Sequence, residues 1–215
     1  SQLKYFVRFA TLAANSHNTQ AWTFEVGPAA IRIVADRKRA TPVVDPEDHH
    51  LIASLGCAVE NLVLAAGFGG QAAEVNLDKI ANGEALIKLS SSSSPPSSLV
   101  QAIPQRQCTR SVYDGSSIPT EQIRLLEVAA RQEGVDVVFV ADPQKREQIL
   151  EQITSANRVQ MADKAFVAEL NSWLRFNSAA AVTAKDGLFS RCSGNPQLPS
   201  WIGQTVFPYT FPEAA

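Results

Sequence analysis

The chain reads as an α+β protein, and three observations predict it. Helical and strand patterns alternate through residues 2–89, a long apolar helix runs through their middle, and a helix–strand pairing recurs after a Ser/Pro-rich break. Leu3, Phe6, Val7, Ala10 and Ala14 recur at helical spacing and predict a helix over 2–14. Aromatic and β-branched residues predict strands over 22–26 and 31–35. Residues 47–68 predict a longer helix whose Ile52, Leu55, Val59, Leu62, Val63 and Ala66 mark one apolar side. It stops at Gly67-Phe68-Gly69-Gly70, where glycine permits a left-handed termination. Ala73–Leu77 and Ala85–Leu89 predict two more strands.

Ser90 to Ser98 is a run of serine broken by Pro95 and Pro96, a linker composition that cannot bury a core. Beyond it, Ile103–Tyr113 has no regular pattern, and Thr120–Gln132 predicts an amphipathic helix. Val135–Val140 is a continuous apolar run expected to form a strand. Residues 143–176 read as helical, with a break near Met161–Lys164. From Thr183 to Ala215 no period persists and glycine and proline recur, which suggests a lid or binding loop. The expected division is a first half over 1–89, a linker over 90–98, and a second, apparently incomplete half over 99–215 with a lid-like region at 183–215. Helix 2–14 with strand 22–26, and helix 120–132 with strand 135–140, suggest two diverged half-repeats.

At 215 residues and 45% hydrophobic, the chain can bury a substantial core. A formal charge of −2, with scattered Lys and Arg, offers no basic face and argues against a nucleic-acid partner. No apolar run is expected to span a bilayer, so no membrane association is anticipated. Ser1-Gln2-Leu3-Lys4 lacks the features of an export signal, although one could already have been removed. Cys57, Cys108 and Cys192 are odd in number and widely spaced, which favours a reducing, cytoplasmic setting; Cys57, in an apolar helix, reads as a core residue. His49-His50 would point in different directions on a helix, so a shared metal is not expected.

Ala13–Trp22 concentrates Asn15, Ser16, His17, Asn18, Thr19 and Gln20 between a helical and a strand pattern. These side chains suit a ligand with alternating carbonyls, ring nitrogens and hydroxyls, since most of them both donate and accept hydrogen bonds. The plainer alternative is that Asn15 and Ser16 only end the helix and turn the chain. The order Ala14-x-Ser16-x-Asn18-x-Gln20-x-Trp22-x-Phe24 resembles the flavin-binding signature of the nitroreductase superfamily. The spelling His17-Asn18-Thr19-Gln20 is similar to its Acg-type branch, which carries proline where this chain has Ala21.

That resemblance implies a mixed or antiparallel sheet covered by helices, with FMN bound where two halves meet. It also gives Arg106-Gln107-Cys108-Thr109-Arg110 a role. Two guanidinium forks and a hydroxyl match phosphate oxygens, and Arg106, Thr109, Arg110, Tyr113, Pro119 and Ile123 resemble the family's phosphate-binding run. A solvated basic loop is the alternative.

The implied site is composite: Ser16, His17, Asn18 and Gln20 from one half, and Arg106, Thr109 and Arg110 from the other. The flavin would carry the chemistry, so no catalytic side chain is required; His17 is a candidate proton donor. The implied activity passes hydride from NAD(P)H through FMN to an electron-poor acceptor such as a nitroaromatic or quinone. The alternatives are an FMN-sequestering protein with little turnover and an α+β binding domain without flavin. A pseudo-dimer within one chain is implied, with a homodimer also open.

Overall fold

The computed structural model describes residues 2–108, 112–131 and 134–214, with side chains through Tyr209. Helix α1 (Gln2–Ala10) leads to strands β1 (Trp22–Val26) and β2 (Ala30–Ala35), helix α2 (His49–Phe68), and strands β3 (Gln71–Asn76) and β4 (Glu84–Ser91). The four strands form one antiparallel sheet in the order β1-β2-β4-β3. Alternation along the strands sends Ile31, Ile33, Ala85, Ile87 and Leu89 to a single core with Phe6 and Ala10 of α1 and Leu55, Ala58 and Leu62 of α2. Phe6, Ile31, Ile33, Leu55, Leu62 and Ile87 are the largest side chains with essentially no exposure. Each contributes about 1.5–3 kcal/mol by leaving water. This core therefore supplies a stable platform for whatever the loops carry.

Helix α1 ends at Ala10 rather than running to residue 14. Turn hydrogen bonds carry the chain from Thr11 to Ala13, and the Thr11 hydroxyl donates to the Arg8 carbonyl, tightening the exit. At the other end of α2, Gly70 takes φ +72°, the left-handed conformation expected of the glycine stop.

By length and composition α2 could cross a membrane, contrary to the expectation that no run is long enough. Its Leu51, Leu55, Ala58, Val59, Leu62, Ala65 and Ala66 are buried as in the core helix of a folded domain. The opposite side is less covered, and Cys57, expected in the core, is exposed there. An almost uniformly apolar helix does not announce which side faces in.

β4 continues through Ser90 and Ser91, which pair with Ala72 and Gln71, so the serine run begins as strand. Ser92 then donates its N–H to the Gly70 carbonyl. Chain after Ser97 is again tied down: Val100 and Ile103 are buried, and Ser98–Gln101 packs on α2. Only the middle of the run behaves as a tether. Inserting several Gly/Ser residues between Ser94 and Pro95 should leave the thermal midpoint unchanged, because closure entropy grows by only about 0.6 kcal/mol per doubling of loop length. The same insertion after Ser90 should lower it by breaking the β3–β4 ladder; equal effects at both places would show that the ladder ends at Leu89.

The remainder is helical: α3 (Thr120–Ala130), α4 (Pro143–Ala162), α5 (Lys164–Trp173), α6 (Ser178–Ala184) and α7 (Ser200–Ala214), with the two-residue parallel strands β5 (Leu174–Arg175) and β6 (Leu188–Phe189). The break near Met161–Lys164 falls at Asp163, whose carboxylate accepts the Ala165 N–H and starts α5. A second, smaller core joins Met161, Val167, Phe176 and Phe207.

Two expectations are corrected here. Val135–Val140 forms no strand beyond an isolated bridge at Val135, and its valines and Phe139 are exposed. The apolar run registers a demand for burial, but no strand among the described residues lies beside it. Residues 183–215 are not structureless, because α7 occupies 200–214 despite Pro208 and Pro212 within it.

Candidate functional site

The polar loop after α1 is held in an uncommon backbone conformation. His17, Asn18 and Gln20 have φ of 47°, 52° and 53°, in the left-handed region that L-residues adopt at a cost of roughly 1–2 kcal/mol each. Several bonds hold it there. The Asn15 side chain donates to the Ala13 carbonyl (3.0 Å) and accepts the Gln20 N–H (2.8 Å). The Ser16 N–H donates to Ser54 Oγ on α2 (3.2 Å), and that hydroxyl donates to the His50 carbonyl. Thr19 is buried, and its carbonyl accepts Arg39 Nε–H at 2.6 Å. Asn15 thus performs the turn-making role suggested by the plainer sequence alternative, while the side chains beyond it point to other work.

Those side chains meet the second half of the chain. Asn18 Nδ2 donates to the Gly187 carbonyl (3.1 Å), and the Gly187 N–H returns a bond to the Asn18 carbonyl (3.0 Å). Gln20 Nε2 donates to the Lys185 carbonyl at 2.5 Å. Gly187 is required here. It has φ +77°, and a Cβ would stand 2.3 Å from the Trp173 carbonyl oxygen.

Asp186, between those two partners, is the electrostatic centre of the seam. Its carboxylate accepts from Arg175 Nη2 (2.6 Å) and Nε (3.1 Å), and pairs with Arg39 from the first half. Both guanidinium groups lie over the Trp173 ring, at 5.6 and 5.8 Å from its centroid. Burial pushes the Asp186 carboxyl up, but bonds and charges from Arg175 and Arg39 outweigh it and hold it below its ordinary value. A second clamp lies nearby: the Glu169 carboxylate accepts the N–H groups of Val43 and Val44, both at 3.0 Å.

Arg106 reaches the same region. Its Nη2 donates to the Leu12 carbonyl (3.2 Å), just upstream of Ser16, and its Nη1 to Cys108 Sγ (3.3 Å). Those contacts engage two of its five N–H groups. Thr109 and Arg110 lie outside the described residues. His17, half-buried, stands in the wall of an apolar cavity of about 400 Å³ between the loop and the small core.

Polar side chains elsewhere on α2 and just before it take structural or surface positions. Asn61 Nδ2 donates to the Phe9 carbonyl and joins α2 to α1, while Glu60 is exposed. Asp45 is buried and accepts the Leu51 N–H (2.9 Å). Burial raises its pKa, but bonds from the backbone of His50, Leu51 and His49 lower it below the ordinary value, so it caps the start of α2. His49 pairs with Glu47 at the surface.

Sequence reasoning missed Arg39, Glu169, Trp173 and Arg175. Asp186 and Gly187 fall within the stretch 183–215 that the sequence suggests is a lid. Arg39 and Glu169 meet their partners across more than a hundred positions, Arg175 meets Asp186 across eleven, and no local pattern signals any of these pairs.

No family model matches the chain. Two proteins of Mycobacterium tuberculosis strains, provisionally named NAD(P)H nitroreductases, are each 26% identical to it over 185 residues. The alignment covers 82% of this chain and 52% of each relative, so the chain spans about half the length of the curated relatives it matches. The sequence is thus similar to those of proteins named NAD(P)H nitroreductases, and the mixed α+β architecture, an antiparallel sheet covered by helices, is compatible with a nitroreductase-like fold.

Proposed function

We propose that this chain forms the flavin-binding part of an NAD(P)H-dependent, nitroreductase-like oxidoreductase of the Acg type, with FMN as cofactor and two diverged halves standing in for a dimer. The observation that carries this reading is the Ser16–Gln20 loop. Its His17, Asn18 and Gln20 are kept in left-handed geometry where the loop meets the Lys185–Gly187 turn, with Arg106 bonded upstream of it at Leu12. Strain of this kind persists where surrounding structure enforces it, and it concentrates at binding sites. The similarity to proteins named NAD(P)H nitroreductases supports the same reading.

The donor set fits the cofactor. Ser16, Asn18 and Gln20 offer neutral hydroxyl and amide groups suited to the ring system and ribityl chain. Arg106, with Thr109 and Arg110 on sequence grounds, offers cationic donors suited to the phosphate. Bound flavin would supply hydride acceptance and donation. The chain's own tasks are to orient the ring, exclude water from its face, and provide a proton from the His17 imidazole. The acceptor is an electron-poor nitroaromatic or quinone.

One observation favours a second reading, FMN sequestration with little turnover. The Lys185–Gly187 turn engages Asn18 and Gln20 directly, closing that side of the loop.

A visible spectrum of the protein, purified or reconstituted with FMN, should show bound flavin, and chromatography of heat-released cofactor should show FMN rather than FAD. Oxidation of NADH or NADPH that accelerates when a nitroaromatic or quinone is added identifies the reductase; bound flavin without turnover identifies the store. A protein that cannot be loaded with flavin refutes both.

A further inference from the structure

The cavity beside His17 has chemistry of its own. Its volume, about 400 Å³, lies in the range that holds small organic ligands. Met161, Leu170, Leu174, Phe176, Leu188 and Phe207 give the wall its apolar character, and no Asp, Glu, Lys or Arg lines it among the described residues. A phosphate or carboxylate entering it would lose its hydration without gaining a counter-charge, which strongly disfavours its entry. The cavity is therefore unsuited to FMN or to a nicotinamide nucleotide.

The wall is preformed. Phe176 and Phe207 pack edge to face, with centroids 6.3 Å apart. Gly203 lets α7 approach so closely that a Cβ there would stand 2.3 Å from the Phe176 ring. Leu198 donates its N–H to the Phe176 carbonyl, and the Asn177 side chain donates to the Leu198 carbonyl and Ser200 Oγ, fixing the opposite side. Ser190 is the most buried polar residue of the lining, which also includes His17, Ser193 and Asn195. Ser190, 5% exposed, spends its proton on the Arg175 carbonyl (3.1 Å) and keeps its oxygen lone pairs as an acceptor.

We propose that this cavity is a binding site for a neutral one- or two-ring aromatic molecule carrying a hydroxyl or N–H donor, with the rings against Phe176, Phe207 and Met161 and the donor on Ser190 Oγ. The site uses none of the phosphate-directed residues and shares only His17 with the flavin-directed loop, so it does not rest on the flavin reading.

The probe is 2-naphthol, titrated by calorimetry into the full chain with and without FMN. Saturable one-to-one binding is expected, insensitive to FMN, with naphthalene-2-sulfonate weaker by roughly tenfold or more because its charge must be desolvated. Val206→Trp and Leu198→Trp, at the rim, should each reduce 2-naphthol affinity at least about tenfold by filling the space, with circular dichroism confirming that the variants fold. Two rim positions are used so that one misfolded variant leaves the other to decide; failure of both to fold would show that the cavity is packing space and overturn the site. Absence of saturable binding, equal binding of the sulfonate, undiminished binding by a folded variant, or displacement by FMN would each overturn it as well.

Discussion

Replacing Asp186 by alanine is expected to destabilise the protein by about 3 kcal/mol in a urea titration, among the largest effects of any single change at the seam. The carboxylate is 12% exposed, and its partners Arg175 and Arg39 are 16% and 35% exposed, so the pair with Arg175 lies largely out of water. Breaking a buried ion pair costs more than the pair contributes, because the partner's charge is left without compensation. Here two guanidinium groups would be left sharing the face of Trp173. The value sits at the low end for a buried pair because Arg39 retains access to water.

Asp186→Asn keeps the shape and one acceptor and should cost less. Loss of under about 0.5 kcal/mol in the alanine variant would show that solvent already screens the cluster. The pH dependence follows from the same geometry. The folded-state pKa of Asp186 is lowered, so its contribution is complete above the ordinary value of 3.8 and is lost as pH falls below it. Asp45 is shifted in the same direction, so the Asn variant should retain part of the acid sensitivity while losing the share due to Asp186. Both the unfolding midpoint and its slope against pH are then diagnostic.

What the sequence made legible was local. Trp22–Val26 alternates and borders a turn, and it forms the expected strand to the residue. α2 and the strands around it follow from periodicity that each segment carries within itself. Val135–Val140 shows the limit of that logic, since an apolar run states that burial is needed without stating against what. α7 was hidden by Pro208 and Pro212, which ordinarily argue against a helix interior, although Pro199 just ahead of Ser200 is a fair start signal. The site divides in the same way. The Ser16–Gln20 loop could be singled out because its residues adjoin one another. Arg39 could not, because nothing in the sequence sets it apart from Arg37 and Lys38 beside it, and its partner Asp186 is 147 positions away. Charge pairs of that separation are products of the tertiary fold and leave no spacing to find.

Removing both Arg106 and Arg110 by alanine substitution is expected to weaken FMN binding by at least about a hundredfold. Each charge-assisted contact to a phosphate contributes about 1.5–3 kcal/mol, and two of them amount to two or more orders of magnitude in affinity. Arg106 is exposed, and its bonds to the Leu12 carbonyl and Cys108 Sγ fasten no buried group, so the fold should tolerate its loss with little change in thermal midpoint. Arg110 joins the variant on the strength of the Arg106-to-Arg110 spacing alone.

Arg124→Ala provides the matched control. It removes an equally exposed guanidinium, paired with Glu121 on α3, and should leave FMN affinity where it was. A fall common to all three substitutions would mean that net charge, and not a clamp, governs the affinity. If the double variant keeps parental affinity, Arg106 and Arg110 are surface residues and the composite site fails, even if the protein is yellow. If affinity collapses while the fold persists, the contact beside Leu12 marks the phosphate end of the site, and the left-handed loop that follows is where the ring must lie.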